Sequence, residues 1–209
     1  MTKLVPKGLE QGYLRATDPL VRGLLRAGVT PNTLTGVGAV VILASSVAYG
    51  TGWIKLGGWL ILLSGIVDTL DGQVARKGAN TTRFGAFYDS TLDRVGDGAS
   101  FIGIAAYLLY APDIRWRNEA IIACLVGILA AMLVSYMRAR AEGLGLECKV
   151  GIAQRAERLL MLGLPTAFVG AGPEGLVLTT IVVVLTVLSI ITVGQRFAYV
   201  YKVTAGSDT

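Results

Sequence analysis

The sequence predicts an all-α integral membrane protein in which six transmembrane helices follow an amphipathic juxtamembrane helix. Three observations favour this fold class. Apolar residues make up 53% of the 209 residues and charged residues only 16%, against roughly 25% charged in soluble domains. The apolar residues are gathered in six long stretches with short links between them. The 27 glycines suit closely packed membrane helices.

The first segment, residues 1–30, is predicted to lie at the cytoplasmic face of the membrane. Leucines alternate with arginines over residues 9–27, a pattern typical of a helix that lies along the membrane surface. We expect Pro19 to break this helix, because proline lacks the amide proton that a helix interior uses.

The six apolar stretches each approach the ~20 residues needed to cross the hydrocarbon core of a bilayer. They cover residues 33–50, 53–75, 85–110, 118–137, 152–170 and 175–196. They make residues 31–202 a single six-helix transmembrane domain and leave residues 203–209 as a C-terminal tail.

The distribution of charge predicts the orientation. The net charge is +5, and most lysines and arginines outside the stretches fall on the side of the two termini. Three fall on the opposite side: Lys55, Arg115 and Arg117. The positive-inside rule therefore predicts a multi-pass protein of the cell membrane with both termini in the cytoplasm. The pattern favours the lipid bilayer as the partner of these charges, and no nucleic acid is expected.

Residues absent from the sequence narrow the chemistry. There is no histidine, so acid–base catalysis falls to carboxylates. Cys124 and Cys148 form no CxxC pair, which predicts neither a zinc site nor a disulfide framework.

Four aspartates interrupt the second and third stretches. Asp68 and Asp71 are three residues apart and Asp89 and Asp93 are four apart, so each pair shares one helical face. A charged side chain at the bilayer centre costs about 2.5–3.5 kcal/mol, so these acids need water or cations beside them. The short link predicts that the two helices are antiparallel neighbours and that the carboxylates converge at their cytoplasmic ends.

Carboxylates without histidine or cysteine favour Mg²⁺, with Mn²⁺ as a substitute, and two helices can hold two ions for phosphoryl transfer. Gly72 and Gly85 would let a bulky substrate approach the backbone beside the ions. The alternatives are acids at a helix end in the interface, or the ion-binding aspartates of an ion-coupled transporter. The paired discontinuous helices typical of such transporters are not evident in the sequence.

The acids belong to a longer ordered pattern. It reads Asp68-x2-Asp71-Gly72-x2-Ala75-Arg76-x8-Gly85-x3-Asp89-x3-Asp93. This pattern resembles, without substitution, the signature of the CDP-alcohol phosphatidyltransferase family. The resemblance covers nearly the whole chain, and it implies a six-helix membrane transferase that works as a homodimer with two metal ions.

The resemblance also implies roles for individual residues. Asp93 would be the catalytic base that deprotonates the acceptor hydroxyl. The implied metal ligands are Asp68, Asp71, Asp89 and Asp93. The implied nucleotide site comprises Pro31, Asn32, Thr33, Leu34, Thr35, Gly72, Ala75, Arg76, Thr82 and Gly85. The deprotonated hydroxyl would attack the lipid-side phosphorus of a CDP-linked lipid, and CMP would leave.

Arginines at the cytoplasmic ends of the last three stretches favour a phosphorylated acceptor. They are Arg138, Arg155, Arg158 and Arg196. Their segments resemble those of family members that join CDP-diacylglycerol and inositol 1-phosphate into phosphatidylinositol phosphate. Two alternatives stay open, namely a phosphatidylglycerophosphate synthase, which uses glycerol 3-phosphate, and an archaetidylinositol phosphate synthase, which uses an archaeol-based lipid. Asp97 lies one turn beyond Asp93 and is expected to partner Arg94.

Overall fold

The computed structural model describes residues 7–78, 81–152 and 155–205, and every regular element in these ranges is helical. The all-α prediction is therefore confirmed. The helices are α1 (Lys7–Arg26), α2 (Pro31–Gly50), α3 (Ile54–Lys77), α4 (Arg83–Tyr110), α5 (Arg117–Glu142), α6 (Arg155–Phe168) and α7 (Leu176–Thr204). A short 3-10 turn, Pro173–Gly175, precedes α7.

Three helical segments of the described ranges are long and apolar enough to cross a membrane: Pro31–Gly50, Arg117–Glu142 and Pro173–Thr204. Helices α3 and α4 contain several aspartates and basic residues, which lower their mean hydropathy. Helix α6 has 14 residues, fewer than the ~20 that span a bilayer. Large apolar side chains are exposed along several helices, as expected of a protein that faces lipid.

Helix α1 is continuous through Pro19, so the prediction of a break there is wrong. Contacts with α3 on both sides of Pro19 account for the difference. The Gln73 amide donates to the Thr17 hydroxyl (3.1 Å), and Lys77 forms an ion pair with Asp18. Val21 is fully buried in a small apolar cluster with residues of α3. Together these contacts offset the roughly 3 kcal/mol that an internal proline costs.

Helix α2 packs against both α3 and α4. Glycines permit this close approach: a Cβ atom on Gly96 of α4 would lie 2.9 Å from Ile42 of α2, and one on Gly103 would collide with the backbone oxygen of Ser46. Over the described residues, α3 and α4 both pack mainly on α2 rather than on each other. The predicted approach of the two helices is seen at their acidic ends, where carboxylate oxygens from both lie within 4.8 Å of one another. A gap lined by their acids is left between them at one end.

The remaining helices close the bundle around this core. Helix α6 packs on α3, and α5 packs on α4 and α7. The buried Tyr49 hydroxyl lies 2.8 Å from the Thr166 hydroxyl and links α2 to α6. This packing brings the C-terminal end of α3 and the N-terminal ends of α2, α4 and α6 to the same end of the molecule.

Packing at Gly103 yields a stability prediction. We expect Gly103→Ala to lower the free energy of unfolding by about 1–3 kcal/mol, because the added methyl overpacks the α2–α4 contact. Thermal unfolding of the purified protein in detergent measures this change. Gly194→Ala is the matched control, since a Cβ atom there meets nothing within 4 Å. Equal melting temperatures for the two variants would contradict the close α2–α4 contact.

Candidate active site

Three carboxylates converge at the end of the bundle. Asp68 and Asp71 lie one turn apart on α3 and Asp89 faces them from α4, with one oxygen of each within 4.8 Å of the others. The predicted shared helical face is therefore confirmed for α3. Oxygen ligands at this spacing, with no nitrogen or sulfur donor among them, fit a hard divalent cation such as Mg²⁺ or Mn²⁺.

Asp93 lies one turn beyond Asp89 and is bound by arginines. Its Oδ1 atom is 2.7 Å from Nη1 of Arg155, and its Oδ2 atom is 3.4 Å from Nη2 of Arg94. It borders a narrow space shared with Asp68 and Asp71. Its predicted roles as base and metal ligand remain predictions.

A cavity of about 180 Å³ opens beside the acids. Asp71 and Asp89 are among the residues that line it. The structure brings together here most of the residues that the resemblance implies for the nucleotide: Pro31, Asn32, Thr35, Gly72, Ala75, Thr82 and Gly85. A Cβ atom on Gly85 would lie 3.0 Å from the Asn32 side-chain oxygen, so glycine keeps the cavity open there.

Three residues of the predicted nucleotide set lie outside the lining of this cavity. The Thr33 hydroxyl lies 2.9 Å from that of Thr30, and Leu34 packs against the apolar cluster around Val21. Arg76 is exposed and lies over Gly72, where a Cβ atom would come 3.2 Å from its Nη1 atom.

Two helix N-termini border the cavity, and the sequence explains both. Helix α2 begins at Pro31, and the hydroxyl of the preceding Thr30 accepts a hydrogen bond from the backbone N–H of Thr33 (3.2 Å). The Thr82 hydroxyl caps α4 by accepting the amide of Gly85 (2.9 Å). Helix N-termini carry partial positive charge, so this cavity is suited to phosphate groups.

Thr35 has a partner that sequence reasoning missed. Its hydroxyl lies 2.9 Å from Oδ2 of Asp71 and 3.1 Å from the Pro31 carbonyl oxygen. A hydroxyl has one proton, and the charged carboxylate at the shorter distance is the stronger acceptor. Thr35 therefore orients Asp71, and only the fold reveals this, because the two residues are on different helices.

The four arginines of the predicted acceptor site have different surroundings. Arg155 reaches the acids of α3 and α4, with Nη1 2.6 Å from Oδ2 of Asp68. Arg196 is buried and donates to the backbone carbonyls of Val134 and Val150. Arg138 is half exposed and pairs with Glu142 (2.9 Å).

Arg158, the fourth, is buried and pairs with Asp97 (2.5 Å). The expectation that Asp97 partners Arg94 is therefore wrong. Asp97 faces α6 rather than the side of its own helix where Arg94 lies, and Arg94 approaches Asp93 instead. The four-residue spacing from Asp93 to Asp97 was the available signal that Asp97 continues the same acidic face.

The fold and the site define a helical membrane protein in which a carboxylate group that fits a divalent cation lies beside a phosphate-compatible cavity. The family model for CDP-alcohol phosphatidyltransferases matches residues 28–193. The chain belongs to the CDP-alcohol phosphatidyltransferase family and is a transferase, which confirms the resemblance drawn from the motif.

Two relatives with named activities are similar to this chain over most of its length. A phosphatidylinositol phosphate synthase of Cutibacterium acnes is 40% identical over 202 residues, covering 91% of this chain and 95% of its own. An archaetidylinositol phosphate synthase of Methanothermobacter thermautotrophicus is 36% identical over 199 residues, covering 93% and 97%.

Solved structures of the Mycobacterium tuberculosis phosphatidylinositol phosphate synthase are also similar. The one with CDP-DAG bound has a TM-score of 0.78 at 33% identity and covers 90% of this chain and 94% of that one. The one in complex with manganese and citrate has a TM-score of 0.79 at 32% identity and covers 88% of each.

The hydrogen bond from Thr35 to Asp71 yields a prediction. We expect Thr35→Val to raise the Mn²⁺ dissociation constant about tenfold, since a hydrogen bond to a charged group contributes about 1.5–3 kcal/mol. Electron paramagnetic resonance of free Mn²⁺ measures the constant without substrates. Thr35→Ser keeps the hydroxyl and should bind as the unaltered protein does. If the valine variant also binds normally, Thr35 does not orient Asp71.

Proposed function

We propose that this protein transfers the phosphatidyl group of CDP-diacylglycerol to inositol 1-phosphate, releasing CMP and forming phosphatidylinositol phosphate. The observation that carries the proposal is a single cavity lined both by the candidate metal ligands Asp71 and Asp89 and by the N-termini of two helices. The names of the relatives support the choice of substrates.

The cavity suits the CDP group of the donor. Asn32, Thr82 and Gly85 at its rim would contact the nucleotide, and the pyrophosphate would extend toward the acids. Asp68, Asp71 and Asp89 would hold two Mg²⁺ ions, or Mn²⁺. When bound, these ions supply the positive charge that stabilises the pyrophosphate and the departing CMP.

Asp93 is proposed as the base that accepts the proton of the inositol hydroxyl. Its Oδ1 atom lies 2.7 Å from Nη1 of Arg155, the first residue of α6, where the phosphate of the acceptor would bind. Arg158 lies one turn further along α6, where it pairs with Asp97. Arg138 and Arg196 complete the proposed acceptor set, although Arg196 already donates to two backbone carbonyls and would use its remaining N–H groups.

We further propose that α2 to α7 cross the cell membrane, with the 14-residue α6 doing so as part of the longer apolar stretch of residues 152–170. Residues 31–202 form the catalytic domain, and residues 1–30 lie at the interface before it. Residues 203–209 form the tail. The site and both termini face the cytoplasm, as the positive-inside pattern predicts. The protein acts as a homodimer, a property inferred from the family.

Two alternatives within the family differ in substrate. The similarity to an archaetidylinositol phosphate synthase favours an archaeol-based donor as the second candidate. A phosphatidylglycerophosphate synthase would use glycerol 3-phosphate as its acceptor. Membership in a transferase family favours all of these over the ion-coupled transporter.

A single assay tests the proposal. Purified protein with CDP-diacylglycerol and Mg²⁺ should release CMP with inositol 1-phosphate and much less with glycerol 3-phosphate or unphosphorylated inositol. EDTA should abolish the release, and Mg²⁺ or Mn²⁺ should restore it, because the acids need a divalent cation to hold the pyrophosphate. CDP-archaeol in place of CDP-diacylglycerol tests the other donor. Equal rates with glycerol 3-phosphate would overturn the proposed acceptor.

The proposed base has its own test. We expect Asp93→Asn to lower kcat at least about 100-fold, because general bases contribute about 10²–10⁴ in rate. Binding of CDP-diacylglycerol should be largely retained, since the cavity does not include Asp93. Asp113→Asn removes an exposed carboxylate beyond the other end of α4 and serves as the control. Near-normal turnover by Asp93→Asn would mean that the base lies elsewhere.

A further inference from the structure

One guanidinium joins the acids of two helices. Arg155 is the first residue of α6, and its Nη1 atom lies 2.6 Å from Oδ2 of Asp68 on α3 and 2.7 Å from Oδ1 of Asp93 on α4. The side chain is only 16% exposed. A single positive group therefore lies between a candidate metal ligand and the proposed base.

Asp68 has two competing partners. It belongs to the group of three carboxylates that fits a divalent cation, and it is also ion-paired with Arg155. A divalent ion beside Asp68 would be repelled by a guanidinium in contact with the same carboxylate. The cation and Arg155 are therefore alternatives at Asp68.

The attachment of Arg155 is incomplete. Its Nη1 atom makes both short contacts, whereas its Nε atom is buried and has no hydrogen-bond partner within the described part of the chain. A guanidinium fixed for a purely structural role commonly pairs through several nitrogens, and a buried unpaired N–H group costs stability. Arg155 therefore has unused donor capacity, which a second acid could satisfy if the guanidinium shifted toward it.

A second carboxylate is within reach. The Nε atom of Arg155 lies 3.8 Å from Oδ1 of Asp97, whose other oxygen is bound to Arg158. A small rotation toward Asp97 would keep the charge of Arg155 compensated while freeing Asp68 and Asp93. Arg158 is buried against Asp97 and holds the carboxylate that makes this movement possible.

We propose that Arg155 is an exchangeable counterion of the acid cluster. Before metal binding it neutralises Asp68 and Asp93, and entry of the divalent cation displaces it toward Asp97. In that position Arg155 contacts the phosphate of the acceptor. Binding of the metal therefore also prepares the acceptor site. The second half of this sequence rests on the proposed function, whereas the competition with metal does not.

The competition is tested on the protein without substrates. We expect Arg155→Gln to lower the Mn²⁺ dissociation constant about tenfold, as measured by electron paramagnetic resonance, because a repelling charge is removed from contact with Asp68. Arg140→Gln is the matched control, since it removes one positive charge from an exposed residue at the end of α5. Mn²⁺ should also raise the melting temperature more in Arg155→Gln than in the control.

Arg155→Met, an uncharged side chain of similar length, provides a second comparison if glutamine disturbs folding. An Mn²⁺ affinity equal to that of Arg140→Gln, or weaker, would overturn the proposal, because Arg155 would then be neutral toward the metal or would help to bind it. The CMP-release assay tests the identity of the acceptor separately. A protein that uses another acceptor but binds Mn²⁺ more tightly without Arg155 would refute the proposed function and retain this inference.

Discussion

The structure depends on the need to neutralise several carboxylates in a predominantly apolar helical bundle. Asp68, Asp71 and Asp89 have oxygens within 4.8 Å of one another, a spacing at which like charges repel strongly unless a cation lies among them. The Thr35 hydroxyl contacts Asp71, and the Arg155 guanidinium contacts Asp68 and Asp93. Both groups come from helices other than the one that carries the acid. The site is thus a product of the packing of α2 and α6 around α3 and α4, and it cannot form from the motif alone.

Helix α2 has the central part in this packing. Its contacts with α3 and α4 leave the acidic gap between those two helices, and its own N-terminus closes one side of the cavity. Glycines make the arrangement possible where the helices touch, because any side chain at Gly103 would collide with Ser46. Small residues far from the site therefore affect it. They set the distance between the helices, and that distance sets the separation of the carboxylates.

Much of this could be predicted from the sequence, because helical periodicity is local. The i, i+3 spacing of Asp68 and Asp71 is sufficient to put them on one face. The apolar stretches locate α2 to α7, although α5 and α7 extend five and eight residues beyond their predicted ends because their last turns are polar. The partner of Thr35, the pairing of Asp97 with Arg158 and the position of α2 against both α3 and α4 depend on contacts between residues distant in sequence. The continuity of α1 through Pro19 has the same origin, since proline's local preference is outweighed by contacts with α3.

The acids also divide into two sides, and this division matches the proposed reaction. Asp71 and Asp89 border the cavity suited to the nucleotide, whereas Asp68 and Asp93 contact Arg155 on the α6 side. Phosphoryl transfer requires the attacking and leaving oxygens to lie roughly in line on opposite faces of the phosphorus. In the proposed reaction, a donor whose CMP group occupied the cavity would present its lipid-side phosphorus toward the arginines. A phosphorylated acceptor would be attracted there, and Asp93 would take its proton. The same separation would keep two anionic substrates apart until they met at the acids, so in the proposed reaction the charge pattern of the bundle sets the direction of attack.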